Sequence, residues 1–291
     1  MLSELLQFLF SGLTVGAMYA LAALGYALIY NASHIVNFAQ GEFIMLGAMT
    51  AAALSEAGCG LPLAVSAAVA ISVIVGVCME RLAIRPARGA PLVTLLIVTL
   101  GVALVIRGAV QVALGKGNHS LRSFSGDAPL HVGGATLVPQ SLWVLGVTLL
   151  VVLLLAWYFG RTVSGKAMLA TSHNRLAAQL VGISTDRVLM ASFAMSGALG
   201  AIGGVITAPI TFTSYDSGVV LGLKGFAAAA LGGIGSGPGA IVGGLALGVM
   251  EALAAGYVSA AYKDAVAFVL ILLVLMFMPR GLFGARVTER V

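Results

Sequence analysis

Nine stretches of about twenty mostly apolar residues follow one another through this chain, at about 8–30, 37–57, 62–79, 92–114, 142–160, 188–208, 218–234, 238–258 and 263–279. A helix needs about that many apolar residues to cross the hydrocarbon of a bilayer, so the series points to an all-α polytopic membrane protein. Composition agrees. Of 291 residues, 60% are hydrophobic and 9% charged, whereas about a quarter of a globular chain is charged. Most of this chain therefore cannot face water. The 38 glycines suit close helix contacts in lipid. The second and seventh stretches are the shortest of apolar residues or hold a charge, and either can be re-entrant, so the expectation is eight or nine spans in one domain, 1–291.

The cations set an orientation. Ten of the fifteen Lys and Arg fall in three places: Arg81, Arg85 and Arg88 in one loop, Arg161, Lys166, Arg175 and Arg187 in another, and Arg280, Arg286 and Arg290 in the tail. Nine spans put all ten on one side, and positive loops stay in the cytoplasm. The amino terminus is then outside and the carboxyl terminus inside. Lys116, Arg122 and Lys263 lie on the other face. The net charge of +5 is thus a topology signal, and nucleic acid is not expected as a partner. The start, MLSELLQFLF, lacks the basic region of a signal peptide and reads as a retained first span. Cys59 and Cys78 sit at opposite ends of one span, about 30 Å apart, too far for a disulfide.

Between spans lie two long segments. Gly115 to Ser141 is external, an irregular connector or a contact for an extracytoplasmic partner. Arg161 to Arg187 carries four cations against one acid, Asp186. Within it Asn174 is placed to cap a short helix over Arg175 to Val181, and Gly182 to end it. Such an element is either a solvated loop or a docking site.

Ionisable residues inside spans are costly and so mark candidate pathways. Asn37, Gln40 and Glu42 enter the second span beside Gly41, where a broken helix is tolerated if it lines a cavity; a helix-terminal Glu42 at the interface is the alternative. Lys224, between Gly222 and Gly225, pairs with Glu42, approaches a substrate carboxylate, or snorkels outward. Arg107 and Glu251 have no partner that spacing identifies. Gly235, Gly239 and Gly243, then Gly244 and Gly248, recur at the four-residue spacing of close helix packing.

Two nucleotide motifs fail. GRTVSGK has Ala167 where a phosphate loop needs the Ser or Thr that ligates magnesium, and it follows a span, not a strand. Gly235, Gly237 and Ala240 match a loose dinucleotide fingerprint without a strand or a ribose-binding acid. No catalytic array and no metal-ligand cluster is present, so no enzyme and no cofactor of its own is expected.

Four runs in order, GLTVGAMYALAALGYALIYNASHIVNFAQGEFIMLGA, GKAMLATSHNRLAAQLVGISTDRV, LKGFAAAALGGIGSGPGAIVGGLALGVMEALAAGY and LLVLMFMPRGLFG, together resemble the LivH-type permeases of branched-chain amino acid ABC importers. The likeness spans about Gly12 to Gly284. It implies a prokaryotic inner-membrane subunit with a homologous second permease, two cytoplasmic ATPases that hold the ATP and magnesium, and an extracytoplasmic binding protein. It further implies that Gly165 to Ile183 is the loop that couples to the ATPase, with Gly165, Lys166, Ala170, Asn174, Arg175, Ala177, Ala178 and Gly182 as its shaping and contact positions. Leu169 departs from the arginine often found there. Related permeases carry urea or short amides, and a stand-alone secondary transporter would work without any ATPase.

Overall fold

The computed structural model describes residues 2–284 apart from 127 and 133, so the cations expected at Arg286 and Arg290 lie outside the described residues. Every apolar stretch is a helix: α1 (Leu2–Ser33), α2 (Gln40–Glu56), α3 (Leu61–Met79), α4 (Leu92–Leu114), α5 (Pro139–Arg161), α8 (Thr185–Thr207), α9 (Ser217–Gly232), α10 (Gly237–Tyr257) and α11 (Lys263–Phe277). Two short helices, α6 (Val163–His173) and α7 (Arg175–Leu180), fill the basic segment between α5 and α8. Among the described residues, six helices are long and apolar enough to cross a membrane: α1, α3 with the π turn that extends it, α4, α5, α8 and α10. By contrast α2, α9 and α11 have only 17, 16 and 15 residues. The chain is a polytopic helical membrane protein. One departure from an all-α reading is a small antiparallel hairpin, β1 (Leu130–Val132) with β2 (Ala135–Leu137), in the 115–141 segment. Gln7 pins it to α1 through two hydrogen bonds with the Thr136 backbone.

The core is built around α1. Most of its side chains are buried, and Leu21 and Ile29 are completely so. It packs most extensively against α10, and glycine sets the distance. A Cβ on Gly248 would come within 2.3 Å of the Gly16 Cα, and one on Gly244 within 2.4 Å of the Ala20 nitrogen. With no hydrophobic drive between helices in lipid, backbone proximity of this kind supplies the attraction. Gly243 lies against the Ala228 carbonyl and Gly239 against Gly232, drawing α9 to α10. Gly235 (φ +92°) makes the turn between them. In α3, α4 and α5 large apolar side chains such as Leu104, Val112 and Leu153 are exposed, as lipid-facing helices require.

One feature positions the site. The α2 helix starts inside the bundle, because Gln40 reaches Ser196, midway along α8, and the Gly25 carbonyl of α1 neighbours that same serine. Since α1 continues to Ser33, the segment 34–39 returns beside it before α2 begins.

Candidate functional site

The returning segment has to satisfy its backbone without a helix. His34 takes a left-handed turn (φ 56°), and the Asn37 Oδ1 accepts from the Ala39 N–H at 3.0 Å, an Asx turn that leads into α2. The Phe38 N–H reaches Thr99 Oγ1 of α4 at 3.4 Å. On the other side α2 meets α9 at glycine: a Cβ on Gly41 would fall 2.0 Å from the Gly218 carbonyl and 2.7 Å from the Gly222 Cα. Tyr26 of α1 donates to the Gly222 carbonyl at 3.0 Å. The first turn of α2 is thus enclosed by α1, α4, α8 and α9.

Asn37, Gln40 and Glu42 all lie in this enclosure, each 2% exposed or less. The Gln40 Nε2 donates to the Ser196 carbonyl at 3.3 Å, and its Oε1 is met by the Ser196 hydroxyl. Glu42 is paired with Arg107, whose Nη2 donates to Glu42 Oε1. Buried polar atoms remain unanswered. Among the described residues, Glu42 Oε2, Arg107 Nε and Asn37 Nδ2 have no hydrogen-bond partner. An unmet buried group costs about 1–3 kcal/mol, more when charged, so the two on the Glu42–Arg107 pair are costly for a merely structural contact.

Lys224 does not join them. Its pairing with Glu42 is replaced: the Nζ donates to Glu251 Oε1 at 2.6 Å and to Asp264 Oδ1 at 2.7 Å. Tyr19 donates to the second Glu251 oxygen at 2.8 Å, and Lys263 stands 3.9 Å from the first. This knot ties α1, α9, α10 and α11 and uses both Glu251 oxygens. Among the described residues none of its buried polar side-chain atoms lacks a partner, unlike the Glu42 pair. Arg107 and Glu251, without partners in the sequence, are the residues that complete the two clusters, with Tyr19, Tyr26, Ser196 and Asp264 joining them. The signal for both was present, a charge inside an apolar run, but the partners lie 65 and 27 residues away.

At the basic end, α6 and α7 form an elbow. Thr162 caps α6 by accepting from the Gly165 N–H at 3.0 Å, and Gly165 itself lies against the Tyr158 carbonyl, where a Cβ would be 2.2 Å away. The run that imitates a phosphate loop is therefore helical and packed on α5. Asn174 ends α6 and caps α7, its Oδ1 accepting from the Ala177 N–H at 2.9 Å. Gly182 (φ +86°) closes α7 as a Schellman turn, with Gly182 N–H on the Gln179 carbonyl and Ile183 N–H on the Ala178 carbonyl, both 3.0 Å. Ala178 is buried, while Lys166, Ala170, Arg175 and Ala177 face outward. Leu176 and Leu180 are 74% and 89% exposed and, with exposed Val181, make an apolar knob on a basic surface. Gln179 donates to Thr185 Oγ1 at 2.8 Å, and Asp186 takes Arg88, which also holds buried Glu80 at the end of α3. The elbow is thus bonded to the start of α8, which is in turn tied to the end of α3.

The family model for the permease component of branched-chain amino acid transport systems matches residues 8–275. The chain is 36% identical to the high-affinity branched-chain amino acid transport system permease protein LivH of Salmonella typhimurium, over 98% of this chain and 97% of that one. It is 35% identical to BraD of Pseudomonas aeruginosa, named likewise, over 98% of each. It is also 31% identical to the autoinducer 2 import system permease protein LsrC of an Enterobacter, over 79% of this chain and 67% of that one. Among solved structures, PsaBC from Streptococcus pneumoniae, in complex with Fab, has a similar fold, with a TM-score of 0.53 at 14% identity over 94% of this chain and 95% of that one.

Proposed function

The chain belongs to the family of permease components of branched-chain amino acid ABC transport systems, a transport component and not an enzyme, and from that premise we propose that it forms part of the membrane pathway of an importer for branched-chain amino acids. In this reading the basic end is cytoplasmic, the amino terminus is outside, and the membrane is a prokaryotic inner membrane. Of two cytoplasmic ATPases, one binds at the elbow of α6 and α7, a homologous permease completes the pathway, and a binding protein delivers the solute from outside. ATP and magnesium are held by the ATPases. The pathway is bordered by Asn37, Gln40 and Glu42; the saturated contacts of Lys224 favour a holding role for that residue.

The observation that carries the reading is the elbow. An apolar knob with Leu180 89% exposed, on a helix with both ends capped, is costly in water and suited to a groove on another protein. Its tie to α8, and through Asp186 to the end of α3, allows closure of a partner to bias the helices. A partner drives such a transition only by binding the two states with different affinity, and the elbow is where that difference is applied. The test is an importer carrying Arg175→Glu or Ala178→Pro. Proline at Ala178 removes the N–H that bonds the Asn174 carbonyl at 3.0 Å and breaks α7. Both variants are expected to insert and fold while ATP hydrolysis continues with uptake lost. Normal coupling in both would return the elbow to the status of a connector.

A further inference from the structure

The Glu42–Arg107 pair joins α2 to α4 and leaves one buried polar atom without a hydrogen-bond partner on each of its two side chains. A carboxylate accepts on two oxygens and a guanidinium donates through five N–H groups. This contact uses Glu42 Oε1 and Arg107 Nη2 and leaves Glu42 Oε2 and Arg107 Nε without a partner. The Lys224 knot leaves no such atom among the described residues, whereas the Arg88 contact with Glu80 and Asp186 leaves one, Arg88 Nε. Depth and exposure add a second argument. The Arg107 side chain is 25% exposed on α4, a membrane-spanning helix, among exposed Leu100 and Leu104. A charge at that depth facing lipid is expensive, so it opens instead on water or on protein.

Building on the importer reading above, we propose that Glu42 and Arg107 form a transit site for the charged head of a zwitterionic amino acid. A zwitterion has no net charge, so its entry does not charge the interior. It exchanges one ion pair for two: Glu42 takes the α-ammonium and Arg107 takes the α-carboxylate. Such a site has nothing comparable to offer urea or a short amide, which carry no charges to exchange. Once the solute leaves, the pair closes again and the path is sealed between α2 and α4.

The experiment uses the whole importer in liposomes with radiolabelled leucine. Glu42→Gln keeps the shape and an acceptor for Arg107, and the exchange Glu42→Arg with Arg107→Glu keeps the pair but reverses it. Both are expected to lower the maximal uptake rate about tenfold or more, which is about 1.4 kcal/mol of lost stabilisation. The concentration for half-maximal uptake, set by the binding protein, is expected to stay unchanged, as are co-elution of the subunits and stimulation of ATP hydrolysis by loaded binding protein. Uptake at the unmodified rate by Glu42→Gln, or by a reversed pair that assembles, overturns the proposal, since a structural ion pair is restored by reversal. Glu42→Gln decides alone where the reversed pair does not assemble. Uptake of leucine by the unmodified complex with unaffected variants rejects the site only; no leucine uptake by the unmodified complex rejects the importer reading and the site with it.

Discussion

At Lys224 the ammonium meets two carboxylates, and the carboxylate of Glu251 meets Lys224 and Tyr19. Removing one partner of a buried pair leaves the other uncompensated and costs about 3–5 kcal/mol. Lys224→Met is therefore expected to lower the melting temperature in detergent steeply, and Glu251→Leu added to it to recover most of the loss, because no buried charge then remains. A fully stable single variant would show that the knot carries no weight. Glycine makes the second residue-level prediction. Gly248→Leu puts a side chain where a Cβ already approaches the Gly16 backbone to 2.3 Å. The α1–α10 contact then has to open, and the yield of folded protein is expected to fall sharply, whereas Gly237→Ala, in open space, is expected to be tolerated. The sequence marked Glu42, Lys224, Arg107 and Glu251 because charges are rare in apolar runs. It could not pair them, since helical spacing relates residues three or four apart and these partners come from different helices.

Among the elements, the long helices were legible because length and apolarity alone define them; both doubtful spans are the short α2 and α9, but α11, expected as an ordinary span, is shorter still, with 15 residues. The inward start of α2 was not legible. It depends on Gly25 leaving room for the Gln40 side chain and on Gly41 and Gly218 letting backbones approach, which is a property of three helices together. Helix α6 was also missed, since VSGKAMLATSH is polar and glycine-bearing, and its stability comes from the Thr162 cap and from Gly165 resting on α5. By contrast α7 was readable from Asn174 and Gly182, because caps are local chemistry. Asn174→Ala is expected to cost about 1 kcal/mol of helix stability and to reduce coupling partially, without the full loss expected of Ala178→Pro. Uptake per ATP hydrolysed measures this, and an unchanged ratio would show that the shape of α7 does not set coupling.

For the whole molecule, apolar helices α3 to α5 face outward around a core centred on α1, with the polar clusters enclosed and an apolar knob raised at the basic end. That distribution suits a permease component of a transport system. The measurement that tests this most directly is uptake of radiolabelled leucine into liposomes, with the chain purified gently under its own tag. The account predicts that an ATPase and a second permease travel with it, that uptake requires internal or external ATP on the ATPase side together with the binding protein, and that this chain alone gives none. Uptake by this chain alone, driven by an ion gradient and indifferent to ATP, would contradict it.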